Sequence, residues 1–345
     1  MTPKNLYNSQ KLLIGFCVSL LLLGIGIITS IFLLPVNRNT KNTPFYLSTQ
    51  IPLSQVGDSL ALNHLIPFPT TFNTLVFLSG KGQDSIGPGY FNIQPNYSYW
   101  NLFRKIAGNH QDPIQLIFKK VHTVEEIFSF LDKQLYRDSS NWANYFYSNG
   151  LQQLQLDSSQ LIGIFIPQKY SVYWSITPPQ LLQKINAFNI KFWTPAKIEK
   201  LKALGLTPQQ FITIVSIVGE ESQVPAEWPI IMRVYLNRLR LGMPLQADPT
   251  VKYAVKNFAL QRILKIHLSV ESPFNTYRNK GLPPGPICNP DQKLLSACLT
   301  PANHNYLYFC AKEDFSGQHR FAESYQEHLL NARKYQAALT EAHIN

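Results

Sequence analysis

The longest hydrophobic stretch of the chain lies near its N-terminus. It runs from Leu12 to Val36 and contains 25 residues without a charge. A helix rises about 1.5 Å per residue, so a stretch of this length can cross about 30 Å of hydrocarbon. The pattern predicts one transmembrane helix over residues 12–36, preceded by a short tail, 1–11, and followed by a polar linker, 37–43.

A cleaved signal peptide is the alternative interpretation of this stretch. Its apolar core would be shorter and would end at a small-x-small cleavage site, whereas this stretch ends in the sequence FLLP at 32–35. We therefore favour a retained membrane anchor. The flanking charges do not settle its orientation, because Lys4 and Lys11 on one side balance Arg38 and Lys41 on the other.

Shorter patterns follow the linker and predict a small mixed region over residues 44–121. Tyr90 to Ile93 is typical of a short strand, and Tyr97 to Ala107 has the spacing of an amphipathic helix. A second strand is predicted from Ile114 to Val121.

Residues 122–345 are richer in helix signals. A capping box pairs a Thr or Ser with a Glu or Gln three residues later, and a proline often occupies the first helical position. Helix starts are predicted at Thr123, Thr177, Thr194, Thr207 and Ser324, a further helix spans about Glu227 to Leu241 before Gly242, and a buried strand covers Tyr306 to Ala311.

The long proline- and glycine-rich loop from Ser272 to Pro290 is atypical of disorder, because it carries apolar and aromatic residues.

Two adjacent glutamates close the apolar run of the helix that starts at Thr207. In helical register Glu221 stacks over apolar residues three, four and seven positions back, whereas Glu220 lies over Thr213 and Ser216. A carboxylate that has lost water has a raised pKa and can donate a proton near neutral pH. Glu221 is thus a candidate general acid, although a glutamate at such a position more often caps a helix, pairs with a base or reaches water.

The composition adds charge but no cofactor signal. The formal net charge of +11 favours an anionic neighbourhood. Nucleic acid is the weakest of the candidate partners, because the basic residues are scattered and no nucleic-acid-binding motif is present. Cys17 falls in the predicted membrane span, and Cys288, Cys298 and Cys310, an odd set without CxxC spacing, are expected to be buried free thiols. We expect no metal site and no cofactor, since HExxH, GxxxxGKS, GxSxG and dinucleotide fingerprints are lacking.

A set of amide, hydroxyl, charged and aromatic side chains follows the candidate acid in the sequence, and these chemical groups suit a sugar ligand. Taken singly, each of these residue types is more often a cap, a turn former or a satisfied internal hydrogen bond. The candidates for substrate binding are Asn237, Arg238, Gln246, Asp248, Thr250, Asn275, Thr276 and Tyr277.

Four segments together carry a resemblance to a known family. They are SIVGEES, VYLNRLRLGMPLQADPTVKYA, SPFNTYRNKGLPPGPICNP and YLYFCAKEDFSGQHRFAESYQEH, in that order. In this order and spacing they resemble the MltG (YceG-like) family of endolytic murein transglycosylases. The resemblance is close over about 205–340 and looser over 45–195, where it rests on GYFNI and IPQKYSVYW.

The resemblance implies an α+β protein with a single N-terminal transmembrane helix and a small LysM-like α/β module over 44–121. A mixed α+β catalytic domain, with a helix-rich connecting region, would fill 122–345. It also implies a single pass through the cytoplasmic (inner) membrane, a cytoplasmic tail and a catalytic part facing the periplasm or exterior. The expected partner is the nascent peptidoglycan glycan strand, with penicillin-binding synthases as candidate protein partners.

Two positions depart from the family pattern. Family members commonly read SIVEKE, and Gly219 here replaces the first acid, so the family's catalytic glutamate falls on Glu221. They also commonly carry Asp-Thr or Asn-Thr before the tyrosine of the mid-chain motif, where this chain has Gln168 and Lys169 before Tyr170. Any role for a carboxylate at that mid-chain position is therefore doubtful.

Three alternatives remain open from the sequence. The chain could be a membrane-tethered scaffold that binds glycan and recruits synthases without cutting. A hydrolase using Glu220 with Glu221 is disfavoured, because adjacent helical residues point about 100° apart and cannot flank one bond. The region 44–121 could direct the enzyme to its substrate or merely support the catalytic domain.

Overall fold

The structure is a computed structural model that describes residues 3–36, 41–260 and 262–343. Residues 37–40 of the predicted linker lie outside this description. The chain forms two compact units, the first from 1–114 with 171–176 and the second from 115–170 with 177–345. It passes from one unit to the other three times, within the strands 113–117 and 169–173 and after residue 176. The mixed α+β class predicted from the sequence is confirmed.

The apolar N-terminal stretch is a helix, α1, over Pro3–Phe32. Its segment Lys11–Phe32 has a mean hydropathy of 2.6 over its most apolar window and is long and apolar enough to cross a membrane. The helix ends four residues before the predicted end at Val36, because Pro35 cannot continue it. Val36 instead donates its N–H to the Tyr97 carbonyl oxygen at 2.7 Å and is buried in the core of the first unit.

The rest of the first unit has two helices between two pairs of strands and is closed by one more helix. Its first and last strands pair antiparallel, with Phe45 opposite Phe91, and both of these rings are buried. The predicted strand and helix of this region are both present with small boundary shifts. The elements are β1 (Thr43–Leu47), β2 (Ile51–Pro52), α2 (Val56–Leu62), α3 (Pro69–Leu78), β3 (Ser85–Ile86), β4 (Gly89–Ile93) and α4 (Tyr99–Ala107).

The second unit is mainly helical, and the capping boxes at Thr123, Thr177 and Thr207 form as predicted. Its first strand is shorter than predicted and ends at Ile117. The elements are β5 (Pro113–Ile117), α5 (Val124–Gln134), α6 (Ser139–Tyr145), a π-helical turn (Phe146–Gly150), α7 (Leu151–Leu154), β6 (Lys169–Tyr173), α8 (Pro178–Phe192), α9 (Pro195–Ala203), α10 (Pro208–Glu221), α11 (Trp228–Arg240), α12 (Asp248–Ala254), α13 (Lys265–Leu268), α14 (Gln292–Cys298), β7 (Tyr308–Ala311), β8 (His319–Ala322) and α15 (Tyr325–Glu341).

Helix α10 lies in the middle of this unit's core. Phe211, Ile214 and Val218 are wholly buried, and the core also takes in side chains of α11 and α14. Strands β7 and β8 pair antiparallel. The residues of β7 are only half-buried, so the prediction of a buried strand there is wrong.

Three of the four thiols belong to the second unit, and two of these are enclosed by its core. Cys288 and Cys298 are fully buried, and Cys310 on β7 is half-buried. Burial raises the pKa of both enclosed thiols, that of Cys298 to about 12. Cys17 is an exposed residue of α1.

Candidate active site

Glu221 is the last residue of α10 and lies at the edge of the core. Thr207 fixes the start of the helix by accepting the Gln210 N–H, and the helix is buried on all sides from Phe211 to Gly219. At its C-terminal end the helix reaches the surface, so that the Glu221 side chain is partly exposed. The helix therefore runs out of the buried core and ends at Glu221, whose carboxylate solvent can reach.

The surroundings of Glu221 raise its pKa to about 7. Burial is the largest cause, because it disfavours the charged carboxylate. The Tyr235 hydroxyl opposes this by donating a 2.6 Å hydrogen bond to Oε1, while the negative charge of Asp248 adds to the increase. A carboxyl group whose pKa is raised toward neutrality can both donate and accept a proton near neutral pH.

Glu220 has the opposite character. Burial raises its pKa, but hydrogen bonds and positive charge from His122 and Lys120 outweigh this and lower the pKa to about 2. The Lys120 Nζ lies 2.5 Å and the His122 Nε2 3.4 Å from Glu220 Oε1. Two adjacent carboxyl groups thus differ in charge at neutral pH.

The reason for this difference is not the one that the helical register suggests. Thr213 and Ser216, which Glu220 was expected to overlie on a polar face, are themselves buried. Because α10 is enclosed all round, Glu220 is distinguished from Glu221 by the basic residues that approach it from 120–122. Lys120 also donates to the Gly219 carbonyl oxygen at 3.2 Å, which ties this segment to the end of the helix.

Gly219 has a packing reason for lacking a side chain. A Cβ atom at this position would collide with the Leu294 Cδ2 of α14. A larger residue at 219 would therefore require the Leu294 side chain to move.

Three of the predicted substrate-binding residues are accessible, and two of them, Asp248 and Tyr277, interact electrostatically with Glu221. Asp248 begins α12, is exposed, and accepts a 2.6 Å hydrogen bond from the Tyr277 hydroxyl. Tyr277 is half-buried, and Gln246 is exposed. Gln246 has a φ of 47°, which is strained for a residue with a side chain, and its N–H donates to the Thr276 carbonyl oxygen.

Three other candidates are buried and hold the site together instead of facing a ligand. The Asn275 Nδ2 donates to the carbonyl oxygens of Leu268 and Val270, so its amide fastens the loop. Thr276 and Thr250 share a 2.8 Å hydrogen bond between their hydroxyl groups. All three side chains are at most 1% exposed, and their polar groups are bonded within the protein.

The two candidates on α11 also bind backbone. The Asn237 Nδ2 donates to the carbonyl oxygens of His304 and Tyr306. The Arg238 guanidinium donates to those of Leu307 and Leu245, at 2.6 and 2.7 Å. Both side chains are buried, so they position β7 and the segment before α12, and Arg238 reaches Glu221 only through its charge.

The sequence analysis missed a second buried network next to the candidate acid. Glu227 is 6% exposed, and its carboxylate accepts hydrogen bonds from the Ser222 hydroxyl and from both the backbone N–H and the ring of His319. The indole N–H of Trp228 donates to the Ser222 carbonyl oxygen at 2.9 Å. These bonds fix the residue that follows Glu221 to β8 and α11.

Within the described ranges, no group of three or more His, Cys, Asp or Glu side chains has the arrangement of a metal site.

The sequence analysis also missed Tyr235, because nothing in its apolar helical context distinguishes it from a core aromatic residue. Lys120 and His122 lie about a hundred positions before Glu220 in the sequence, and only the fold brings them together.

Comparisons with known proteins show the family to which this chain is similar. The model of the YceG-like family matches residues 45–334. An endolytic murein transglycosylase of Bacillus subtilis is 37% identical over 142 residues, 41% of this chain and 39% of the relative. One from Streptococcus pneumoniae serotype 2 is 25% identical over 338 residues, 88% of this chain and 60% of the relative. The chain therefore spans about three-fifths of the length of this pneumococcal relative.

A solved structure shows the same fold. The crystal structure of a YceG-like protein from Listeria monocytogenes superimposes with a TM-score of 0.56 at 22% identity. The match covers 85% of this chain and 99% of that protein.

Proposed function

Because this chain belongs to the YceG-like family, whose model matches most of its length, we propose that it is an endolytic murein transglycosylase. The proposed substrate is the glycan strand of peptidoglycan, cut at the β-1,4 bond between N-acetylmuramic acid and N-acetylglucosamine. The relatives with this activity in their names support the reaction type. The observation that carries the proposal is Glu221, a partly exposed carboxyl group with a pKa of about 7.

In the proposed reaction Glu221 acts twice. As a carboxylic acid it protonates the glycosidic oxygen, and the bond to the muramic acid C1 breaks. As a carboxylate it then takes the proton from the 6-hydroxyl of the same muramic acid, whose oxygen attacks C1 and forms a 1,6-anhydro ring. No water is consumed, and Glu221 ends in its starting state. Because the nucleophile belongs to the bound sugar, the attack is intramolecular.

The neighbours of Glu221 fit this double role. Tyr235 keeps Oε1 in place by hydrogen bonding, and its bond strengthens when the carboxylate forms. Asp248, Tyr277 and Gln246 are our candidates for contacting the sugars, because they are the accessible members of the predicted set. The negative charge of Asp248 would also favour the positive charge that develops on the sugar ring in the transition state.

Product chemistry tests the proposal. Peptidoglycan digested by the purified full chain in detergent should yield fragments with anhydro ends, detected by mass spectrometry. Glu221→Gln should abolish them, and Glu220→Gln should cost much less turnover. Both variants need a melting measurement, since an unfolded variant would imitate a catalytic one. Equal losses in the two variants would contradict the assignment of Glu221.

A hydrolase is a second candidate, and Asp248 is the observation that favours it. Asp248 offers a second carboxylate near Glu221, held at 2.6 Å by the Tyr277 hydroxyl. Hydrolytic glycosidases need such a pair, one acid and one base or nucleophile. Reducing ends in place of anhydro ends would support this candidate. A scaffold that only binds glycan would give neither product and would survive the loss of Glu221.

We also propose where the enzyme works. The helix Lys11–Phe32 would anchor it in the cytoplasmic membrane by a single pass, with the catalytic part outside. The first unit, with its own core and with two helices between two pairs of strands, would be a LysM-like module that directs the enzyme to the sacculus. Penicillin-binding synthases are candidate partners. Removing residues 44–113 should spare cutting of short strands and weaken binding to sacculi; loss of all activity would indicate a supporting role instead.

A further inference from the structure

The core of the first unit begins very close to the end of the apolar helix α1. The helix ends at Phe32, and Val36 is already buried in that core. Four residues of chain span at most about 14 Å, so the unit cannot lie far from this end of the helix. The segment Lys11–Phe32 has 22 residues, which at about 1.5 Å each just cover about 30 Å of hydrocarbon. When α1 spans a membrane, Phe32 therefore lies at the boundary between the hydrocarbon and the lipid headgroups.

Helix α4 packs against this end of α1 and carries a residue type that is typical of membrane interfaces. The Trp100 ring lies 5.3 Å from the Phe32 ring, centre to centre, and is half-buried. Tryptophan is enriched where hydrocarbon meets headgroups, because its ring is apolar and its N–H is polar. Arg104 lies one turn further along the same side of α4 and is exposed. Its charge suits the phosphate groups of a lipid surface.

The loop between α2 and α3 brings more apolar surface to the same place. Phe68, at the end of this loop, is 63% exposed. It lines a cavity of about 730 Å³ together with Ser30, from the last turn of α1, and Leu34, which is itself 54% exposed. Leu62, the last residue of α2, is 80% exposed and follows Ala61, another residue of the lining. Exposed apolar side chains of the first unit and the end of α1 thus meet around one opening.

The exposed position of Phe68 is fixed by the fold. Its N–H donates to the Tyr99 hydroxyl oxygen at 3.0 Å, which fastens the loop to α4. Leu65 and Ile66 of the same loop are buried in the core of the unit. The Phe68 backbone is therefore held on both sides. An apolar ring held in water is unfavourable, and transfer of the ring to the edge of a hydrocarbon layer removes this cost.

From these contacts we propose that the first unit has a lipid face, a surface that binds the bilayer which α1 crosses. The lipid face consists of Leu34, Leu62, Phe68, Trp100 and Arg104. Lipid is its occupant because the face is continuous with the membrane helix: Ser30 of α1 lines the same cavity as Phe68, so lipid around this end of α1 also meets the loop. The inference rests on the membrane anchor stated under the proposed function. It adds that the first unit lies on the membrane surface in one orientation and does not swing freely on its anchor.

Quenching of tryptophan fluorescence by brominated lipid tests the lipid face on the full chain. The protein is reconstituted in vesicles of phosphatidylcholine and phosphatidylglycerol whose acyl chains carry bromine near the headgroup end. In a Trp100→Phe background, Phe68→Trp adds one emitter on the face, and brominated lipid should quench the added emission. Phe77→Trp is the matched control, because Phe77 is 80% exposed, lies about 13 Å further along α3 and is outside the cavity. Its added emission should be unchanged.

Two further measurements complete the experiment. Phe32→Trp, at the end of α1, reports whether the helix is inserted, and its added emission should be quenched. Trp100→Phe alone should lower the fraction of the wild-type emission that brominated lipid quenches, so the test does not depend on a new tryptophan being tolerated at position 68.

The outcomes separate the lipid face from the anchor and from the proposed reaction. Quenching for Phe32→Trp with none for Phe68→Trp would overturn the face, leave the anchor standing and favour a protein partner on this surface. Equal quenching for Phe68→Trp and Phe77→Trp would overturn the single orientation. No quenching in any variant would overturn both the anchor and the face. Formation of anhydro products in detergent does not depend on lipid, so these products report on the proposed reaction separately.

Discussion

Replacing Glu221 by glutamine should stabilise the protein at pH 8 while it abolishes activity. The ordinary pKa of a glutamate is 4.5, and that of Glu221 is about 7. Each pKa unit corresponds to about 1.36 kcal/mol, so ionising Glu221 in the folded protein costs roughly 3 kcal/mol more than in the unfolded chain. Because the side chain is partly exposed, we expect about 1–3 kcal/mol of this to appear as added stability when the charge is removed.

The direction in which stability changes with pH follows from the number of protons that the folded and unfolded states bind. Between pH 4.5 and 7 the folded state holds a proton on Glu221 that the unfolded state has released, so stability falls as pH rises through this window. The amide of glutamine cannot ionise and avoids the loss. At pH 5 the two proteins should therefore be nearly equal in stability, and the difference should be complete above pH 7.

Glu220 provides a control of opposite sign on the next residue. Its pKa of about 2 means that its charge stabilises the folded state above pH 4.5, and this contribution is lost as pH falls toward 2. Glu220→Gln removes the pairing with Lys120 and His122 and should lower stability at pH 8. Calorimetric melting of the full chain in detergent at pH 5 and 8 measures both effects, at about 2–4 °C per kcal/mol for a unit of this size.

The reasoning would be refuted by a melting temperature at pH 8 that falls in Glu221→Gln, or by the same change in both variants. An unchanged difference between pH 5 and pH 8 would show that Glu221 is not desolvated in the folded protein. Its proposed service as a proton donor near neutral pH would then lose its physical basis.

Three further changes have definite expected outcomes. Tyr235→Phe removes a hydrogen bond that favours the ionised form of Glu221, so the pH at which activity declines on the alkaline side should rise by about 1–2 units. The control Tyr277→Phe should change this pH little. A fall in this pH for Tyr235→Phe would contradict the role of the bond. Asn275→Ala should lower the melting temperature more than it lowers turnover at a temperature where the fold persists, because its buried amide donates to two backbone carbonyl groups. Glu227→Gln should destabilise the protein by about 2–3 kcal/mol and reduce kcat, since it weakens the bonds that hold the end of α10; unchanged urea unfolding would exclude this.

Local signals in the sequence predict helix starts well. The capping boxes at Thr123, Thr177 and Thr207 form because they need only residues three positions apart. The helix ends depend on neighbours, and α1 stops at Phe32 because Pro35 and the contact of Val36 with Tyr97 draw the chain away from the helix axis.

The site is less accessible to sequence reasoning. Glu221 was identified from its register, but the neutralising partners of Glu220 come from a segment about a hundred residues away. Asn275 shows a different limit. Its residue type and motif suit sugar binding, yet complete burial turns its amide toward backbone carbonyl groups, and no periodicity in the sequence reports that burial.

The enclosed thiols have a practical and biological consequence. A thiol reacts with oxidants and with disulfides in its thiolate form. Burial keeps Cys288 and Cys298 protonated and keeps both kinds of reagent away from them. If the second unit faces an oxidising compartment, as proposed above, its two enclosed cysteines would stay reduced there without a protecting disulfide or a supply of reductant. Cys310, half-buried on β7, is the thiol of this unit that a labelling reagent should meet first.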